Sequence, residues 1–338
     1  MPRKPRRFQP IEDIPDIESL EIDAPELDTQ MRKVLGSIRY ALKNSILKRE
    51  TKSFFVDLLK VFSTSHTIIR EIIALSIKHD YRPFIADALS LTREQVEKLY
   101  VAALFLEDED KWFIQYSRNS WRKKYEEYLL ELELNEGNER LEDYLTVHYP
   151  KMLELTRYLY FPGRKPKLIV SVKAMKMVKY NYDFPRIRKK DKHTGKTNWP
   201  KYFDREKFEA YFEFPTPGAS LGYFRDPKTK ELLTRWHKGY QYLCNYTHIG
   251  FGKLLIQAFS NNKSMRGGEV LEWHSEIEQG YSIFVSHTTI ACVCTMLVPF
   301  LKEDYGAVDH LKDFWKTISN SSLLSKGYWN LYARDALN

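Results

Sequence analysis

The chain has 338 residues and a mass of 40.2 kDa, with 43% hydrophobic residues and a net charge of +8. That is length enough for one large or two modest domains with a real core, and three cysteines in so long a chain exclude a disulfide framework. The basic N-terminus MPRKPRRF is not followed by an apolar core of roughly 7–15 residues, so a secretory signal is not expected and a reducing cytoplasm is.

In chain order, residues 9–28 are acidic and broken by Pro10, Pro15 and Pro25, which reads as an extended arm spanning 1–28. Residues 29–49 then set Met31, Leu35, Ile38, Leu42 and Ile46 at helical spacing. A second amphipathic helix over 53–79 carries Phe54, Leu58, Val61, Ile68, Ile72 and Leu75. Pro83 interrupts, and helices follow at 84–107, 109–134 and 139–160, the last two separated by Gly137 as a stop signal. The stretch 29–160 is thus expected as the first part of a helical bundle.

From 161 to 236 the character changes. Seven prolines and most of the basic charge fall here, and LIVSVKAMKMVKY and EAYFEFPTPG read as short strand candidates, so the stretch is expected as a basic, partly β insert. Residues 164–208 hold fifteen Lys or Arg against four Asp or Glu, a net +11 that leaves −3 for the remainder of the chain. Rings are interleaved with these cations. Basic side chains neutralise phosphates without reading sequence, and aromatic faces stack on unpaired bases at roughly 1–3 kcal/mol each. Within FPRIRKKDKHTGKTNWPKYF, Arg186, Arg188, Lys189, Lys190, Lys192, Lys196 and Lys201 flank a turn, and Trp199 and Tyr202 are the stacking candidates. A solvated charged face is the plain alternative.

Helical patterning resumes over 237–338, with helices at 237–260, 281–301, 306–319 and near 321–337. The segment 281–301 has no Asp, Glu, Lys or Arg for twenty-one positions, long enough to span a bilayer. Its Ser282, Ser286, His287, Thr288, Thr289 and Thr295 favour a buried central helix over a membrane span. Cys292 and Cys294, within that run, read as small core hydrophobes.

Three segments together carry a resemblance: FIADALSLTREQVEKLYVAALFLED, YQYLCNYTHIGFGKLL, and the charge-free helix with its exit LKEDYG. They resemble a bacterial all-helical family, domain of unknown function 5677, which is compared at greater distance with HEPN-type bundles. The resemblance covers the helical segments and not the insert. It implies a cluster of Arg93, Glu97 and His248. HEPN ribonucleases are recognised by an Arg and a His four to six residues apart on one helix, and that spacing does not occur here, so a catalytic pair would have to come from different helices.

Arg93 and Glu97, spaced i and i+4, share a helix face. They read either as a structural ion pair or as a carboxylate orienting a guanidinium toward an anionic ligand. His248 is the proton-exchanging candidate beside them. Tyr242 and Tyr246 read as core positions. His274 and His287 stand isolated, with no carboxylate placed beside them, so neither a metal nor another cofactor is expected. The fold expected is all-α, a multi-helix HEPN-like bundle with a basic, partly β insert. The function expected is RNA or single-stranded nucleic-acid binding by a cytoplasmic, non-membrane protein, with metal-independent RNA cleavage by a toxin or defence component as its catalytic form. A non-catalytic helical scaffold whose insert docks an acidic protein or another subunit is the other reading, and either suits a homodimer or larger assembly.

Overall fold

The buried stripe of the second helix is set by residues three and four apart, Phe55, Leu59, Phe62, His66, Ile69, Ile73 and Ser76. In a computed structural model this helix, α2, runs Arg49–His79 and follows α1, Ala24–Ala41. The structure describes residues 24–79, 83–135, 137–149, 151–152, 214–247 and 268–338. The stripe is not the one that the most hydrophobic residues of α2 suggest. Val61, Ile68 and Leu75 are all exposed, whereas the polar His66 and Ser76 face inward. Likewise Ile46 lies outside the core, beyond the end of α1. The arm expected to be extended is helical from Ala24 onward, because Pro25 in a first turn has no hydrogen bond to lose.

Among the described residues every regular element is helical. The chain divides into two compact units, one formed by 1–107 and 220–338 and the other by 108–219. In the first unit α3, Pro83–Glu107, packs against α2, against α7, Pro227–Thr247, and against α8, Gly268–Leu297. Small residues on α3, Ala88, Ala102 and Ala103, allow close approach, and Leu89, Val96, Leu99 and Phe105 fill the space between. α1 lies on α9, Ala307–Ser321. The chain closes with α10, Leu323–Tyr328, and α11, Arg334–Leu337, joined through a widened turn; Tyr328 stacks on Trp236 at 4.7 Å.

The charge-free segment forms the C-terminal part of α8, and by length and composition alone Gln279–Phe300, which includes the short turn after the helix, could cross a membrane. Most of it is buried inside the protein, where it touches α1, α2, α3, α9, α10 and α11. Its threonine hydroxyls are all accommodated. Thr288, Thr289 and Thr295 donate to the carbonyls of Phe284, Val285 and Ala291 at 2.7, 2.7 and 2.8 Å, and such back-bonding removes the penalty of burying a hydroxyl. Thr295 Oγ1 also accepts the indole N–H of Trp315 at 2.9 Å. Cys292 and Cys294 are buried free thiols, and burial pushes the Cys292 thiol up to about 12.

The second unit holds α4, Glu109–Leu134, capped by the Asp108 side chain, and α5, Glu139–Asp143, which runs on through a wider turn at Tyr144–His148. Gly137 adopts φ +82° between them, as its reading as a stop signal requires. Tyr128 donates to the carbonyl of Leu145 at 2.7 Å and stacks on Tyr149. The one-turn helix α6, Pro217–Ser220, follows. The second unit begins at Asp108 and ends at Ala219. α7 begins ten residues inside the span expected as insert. Asp226 caps it, accepting from the Thr229 backbone at 2.8 Å and hydroxyl at 2.7 Å, and Pro227 fits a first helical position. Of the strands expected over 168–180 and 209–218, only residues 214–218 are described, and they lead into α6 instead of forming a strand.

Candidate functional site

Three helices meet around Asp28 of α1, His66 of α2 and His287 of α8. Each residue brings one ligand-type atom within 4.8 Å of the other two. Asp28 Oδ1 accepts from His66 Nε2 at 3.1 Å and stands 3.7 Å from His287 Nε2, while its Oδ2 is ion-paired with Arg70. The other nitrogen of His66, Nδ1, is hydrogen-bonded to Ser286 Oγ at 2.8 Å. The two imidazoles are tilted 41° to each other with 4.2 Å between centroids, and Phe314 meets the His287 ring edge-on.

Charge is distributed unequally across this cluster. Both histidines are 1% exposed, Asp28 is 13% and Arg70 28%. Burial drives the pKa of His66 down, and Asp28 only partly restores it. Burial, helped by the neighbouring His66 and Arg70, lowers His287 to about 3. Burial would raise the Asp28 carboxyl, but the approach of both imidazoles and of the Arg70 guanidinium more than reverses this and holds it far below the carboxylate range. At neutral pH the cluster is therefore one carboxylate, one guanidinium and two neutral imidazoles. Asp28, His66 and Ser286 have the connectivity of a hydrolytic relay, but Ser286 is fully buried in mid-helix, where no substrate reaches its hydroxyl.

The sequence-predicted site lies elsewhere in the same unit. Arg93 and Glu97 on α3 are paired, Nη2 to Oε1 at 2.5 Å, and Tyr240 of α7 donates to the same Oε1 at 2.7 Å. Arg93 Nη2 also reaches Tyr240 Oη at 3.4 Å, and its guanidinium sits over that ring, 5.5 Å from the centroid. Burial works against the charge of Arg93, but the bond to Tyr240 and the charge of Glu97 outweigh it and keep the guanidinium protonated. Burial and the adjoining carboxylate push the Tyr240 hydroxyl up. The ion pair that both readings of Arg93 and Glu97 require is present, with Tyr240 as a third member. His248 lies outside the described residues, as do Arg186, Arg188, Lys189, Lys190, Lys192, Lys196, Trp199, Lys201 and Tyr202.

His287, read as isolated, is instead packed against His66 and beside the carboxylate of Asp28. Sequence reasoning missed the cluster because its members lie far apart in the chain and Asp28 sits in the arm that was expected to be extended. One signal was available: His66 occupies an apolar-stripe position on α2, where an imidazole needs a partner. Tyr242, read as core, is 37% exposed and packs edge-on against Tyr281. The described core positions of α7 are Leu232, Leu233, Trp236 and Leu243. Compared with family models, with curated proteins and with solved structures, the chain matches none. Fold and site together define an all-α protein built around a buried histidine, aspartate and arginine cluster.

Proposed function

We propose that the protein binds single-stranded nucleic acid, RNA foremost, through the cationic and ring-bearing stretch 164–208. One observation carries this reading. A net +11 is confined to forty-five residues of a chain that is otherwise slightly acidic, and aromatic side chains are threaded through the same stretch.

The catalytic form of this reading, metal-independent RNA cleavage, assigns the work to His248 beside Arg93 and Glu97. The pairing of Arg93 with Glu97 and Tyr240 favours the non-catalytic form, since a guanidinium already compensated by a carboxylate has less to offer a phosphate. In the other reading the basic stretch docks an acidic protein or another subunit.

Titrating fluorescent single-stranded RNA at increasing salt separates these. The nucleic-acid reading expects log affinity to fall linearly with log salt. Replacing Arg188, Lys189 and Lys190 with Ala should shallow the slope by about 2. Absence of binding at low salt removes this reading and leaves the protein-docking one. RNA cleaved by wild type and not by His248→Ala establishes catalysis; no cleavage by either restricts the protein to binding.

A further inference from the structure

We propose that Asp28, His66 and His287 bind one divalent first-row transition-metal ion, tying α1, α2 and α8 together. This site is independent of the nucleic-acid reading.

The first argument is the condition of His287. Its side chain is 1% exposed, and among the described residues neither Nδ1 nor Nε2 has a hydrogen-bond partner. A neutral imidazole carries one N–H and one lone pair, and an orphaned polar group in the interior is costly. The ring is nonetheless held beside a carboxylate oxygen and a second imidazole, an arrangement in which a shared ion takes the lone pair of Nε2.

The second argument is spacing. Ligand atoms on one ion with bonds of about 2.1 Å lie roughly 3.0 Å apart at right angles and roughly 3.4 Å apart at tetrahedral angles. The observed separations from Asp28 Oδ1 are 3.1 Å to His66 Nε2 and 3.7 Å to His287 Nε2. Two imidazoles bound to one ion at right angles place their centroids roughly 4.5 Å apart, against 4.2 Å here. Two histidines and one carboxylate meeting on one side at right angles are the donor set of non-haem Fe(II), and zinc or Co(II) accepts the same atoms.

The third argument is the surround. Metal-bound imidazoles are held by a hydrogen bond from the other ring nitrogen, and ligating carboxylates are themselves fixed. Ser286 holds Nδ1 of His66, and Arg70 holds Oδ2 of Asp28, leaving Oδ1 for the ion. Binding at Nε2 moves the His66 proton to Nδ1, where Ser286 Oγ accepts it, so no proton leaves that ring. The guanidinium of Arg70 adds positive charge beside the ion, which predicts modest rather than extreme affinity.

The test uses the full chain, purified without a histidine tag, dialysed against EDTA and titrated anaerobically with Co(II). The expected result is one equivalent bound, visible ligand-field bands, two paramagnetically shifted exchangeable imidazole N–H resonances, and a rise in Tm of roughly 5 °C at a hundredfold excess over Kd. His287→Gln and Asp28→Asn, checked for helicity by circular dichroism, should each weaken binding more than tenfold. Wild-type protein without ligand-field bands overturns the proposal, as do thiolate charge-transfer bands that place the ion on cysteine, or binding unchanged in both variants. If neither variant folds, the imidazole resonances of the wild-type protein decide: two confirm the site, and none rejects it. Zinc competing for the bound Co(II) then reports which ion the donor set prefers.

Discussion

Asp28 Oδ1 and His66 Nε2 lie 3.1 Å apart although thirty-eight residues separate them in the chain. This contact joins α1 to α2, and Arg70 reaches the same carboxylate one turn further along α2. Removing the carboxylate leaves a buried imidazole without its acceptor and a partly buried guanidinium without its counter-charge. Asp28→Ala should therefore destabilise the protein by about 2–4 kcal/mol in urea denaturation, beyond what trimming an exposed side chain costs. A loss under about 0.5 kcal/mol would show that the cluster does not hold α1 in place.

The same cluster makes stability depend on acid. His287 titrates at about 3 when folded and near 6.5 when unfolded, and His66 is shifted in the same direction. The unfolded chain thus binds more protons than the folded one below pH 6.5, so this contribution is complete above that value and drains away as the pH falls toward 3. The slope reaches about 1.4 kcal/mol per pH unit for His287 alone. Below about pH 4 the depressed carboxyl of Asp28 adds loss of the same sign. Melting temperatures of EDTA-treated protein from pH 8 to pH 4 should decline from about 6.5 downward, and a flat profile between 7 and 5 would contradict the burial of these rings.

Adjacent isoleucines on α2 offer a sharper comparison. Ile69 is fully buried and packs with Ile73, Ala88 and Ile283, whereas Ile68 is 43% exposed. Ile69→Ala should cost about 2–4 kcal/mol through lost burial and the cavity left behind, and Ile68→Ala no more than about 0.5 kcal/mol. Chemical denaturation of the two variants side by side checks the orientation of the whole helix, because a rotation of about 100° would exchange the two results.

Thr295 and Trp315 join α8 to α9 through a buried bond from the indole N–H. Thr295→Val nearly preserves volume but removes the acceptor, leaving the indole N–H of Trp315 unpaired in the interior. A loss of about 1–3 kcal/mol is expected, with a blue shift in the emission of that tryptophan. Unchanged stability would mean that the indole finds another acceptor.

Much of the helical framework was legible from periodicity. The spacing of apolar residues located α2, α3 and α4 to within a few residues, though it set α1 about one to two turns too late, and the absence of charge from 281 to 301 marked the helix that the others surround. What periodicity rendered poorly was the direction in which a helix faces. On α2 two apolar stripes run side by side, one through Ile68 and one through Ile69, and the residues that decide between them, Ala88 and Ile283, belong to α3 and α8. The ends of elements were blurred wherever proline was read as a breaker, since Pro25 and Pro227 occupy first turns, where a missing N–H costs nothing.

The sequence by itself determined that this protein is helical, that its excess of positive charge lies in one stretch, and that Arg93 and Glu97 share a face, because charge and the 3.6-residue repeat are properties of neighbouring residues. Only the tertiary structure decided that Asp28, His66, Ser286 and His287 meet, and that Tyr240 rather than Tyr242 joins Arg93. Such meetings depend on which faces of separate helices are pressed together, and that choice is made by the summed packing of every helix in the unit rather than by any local run of residues.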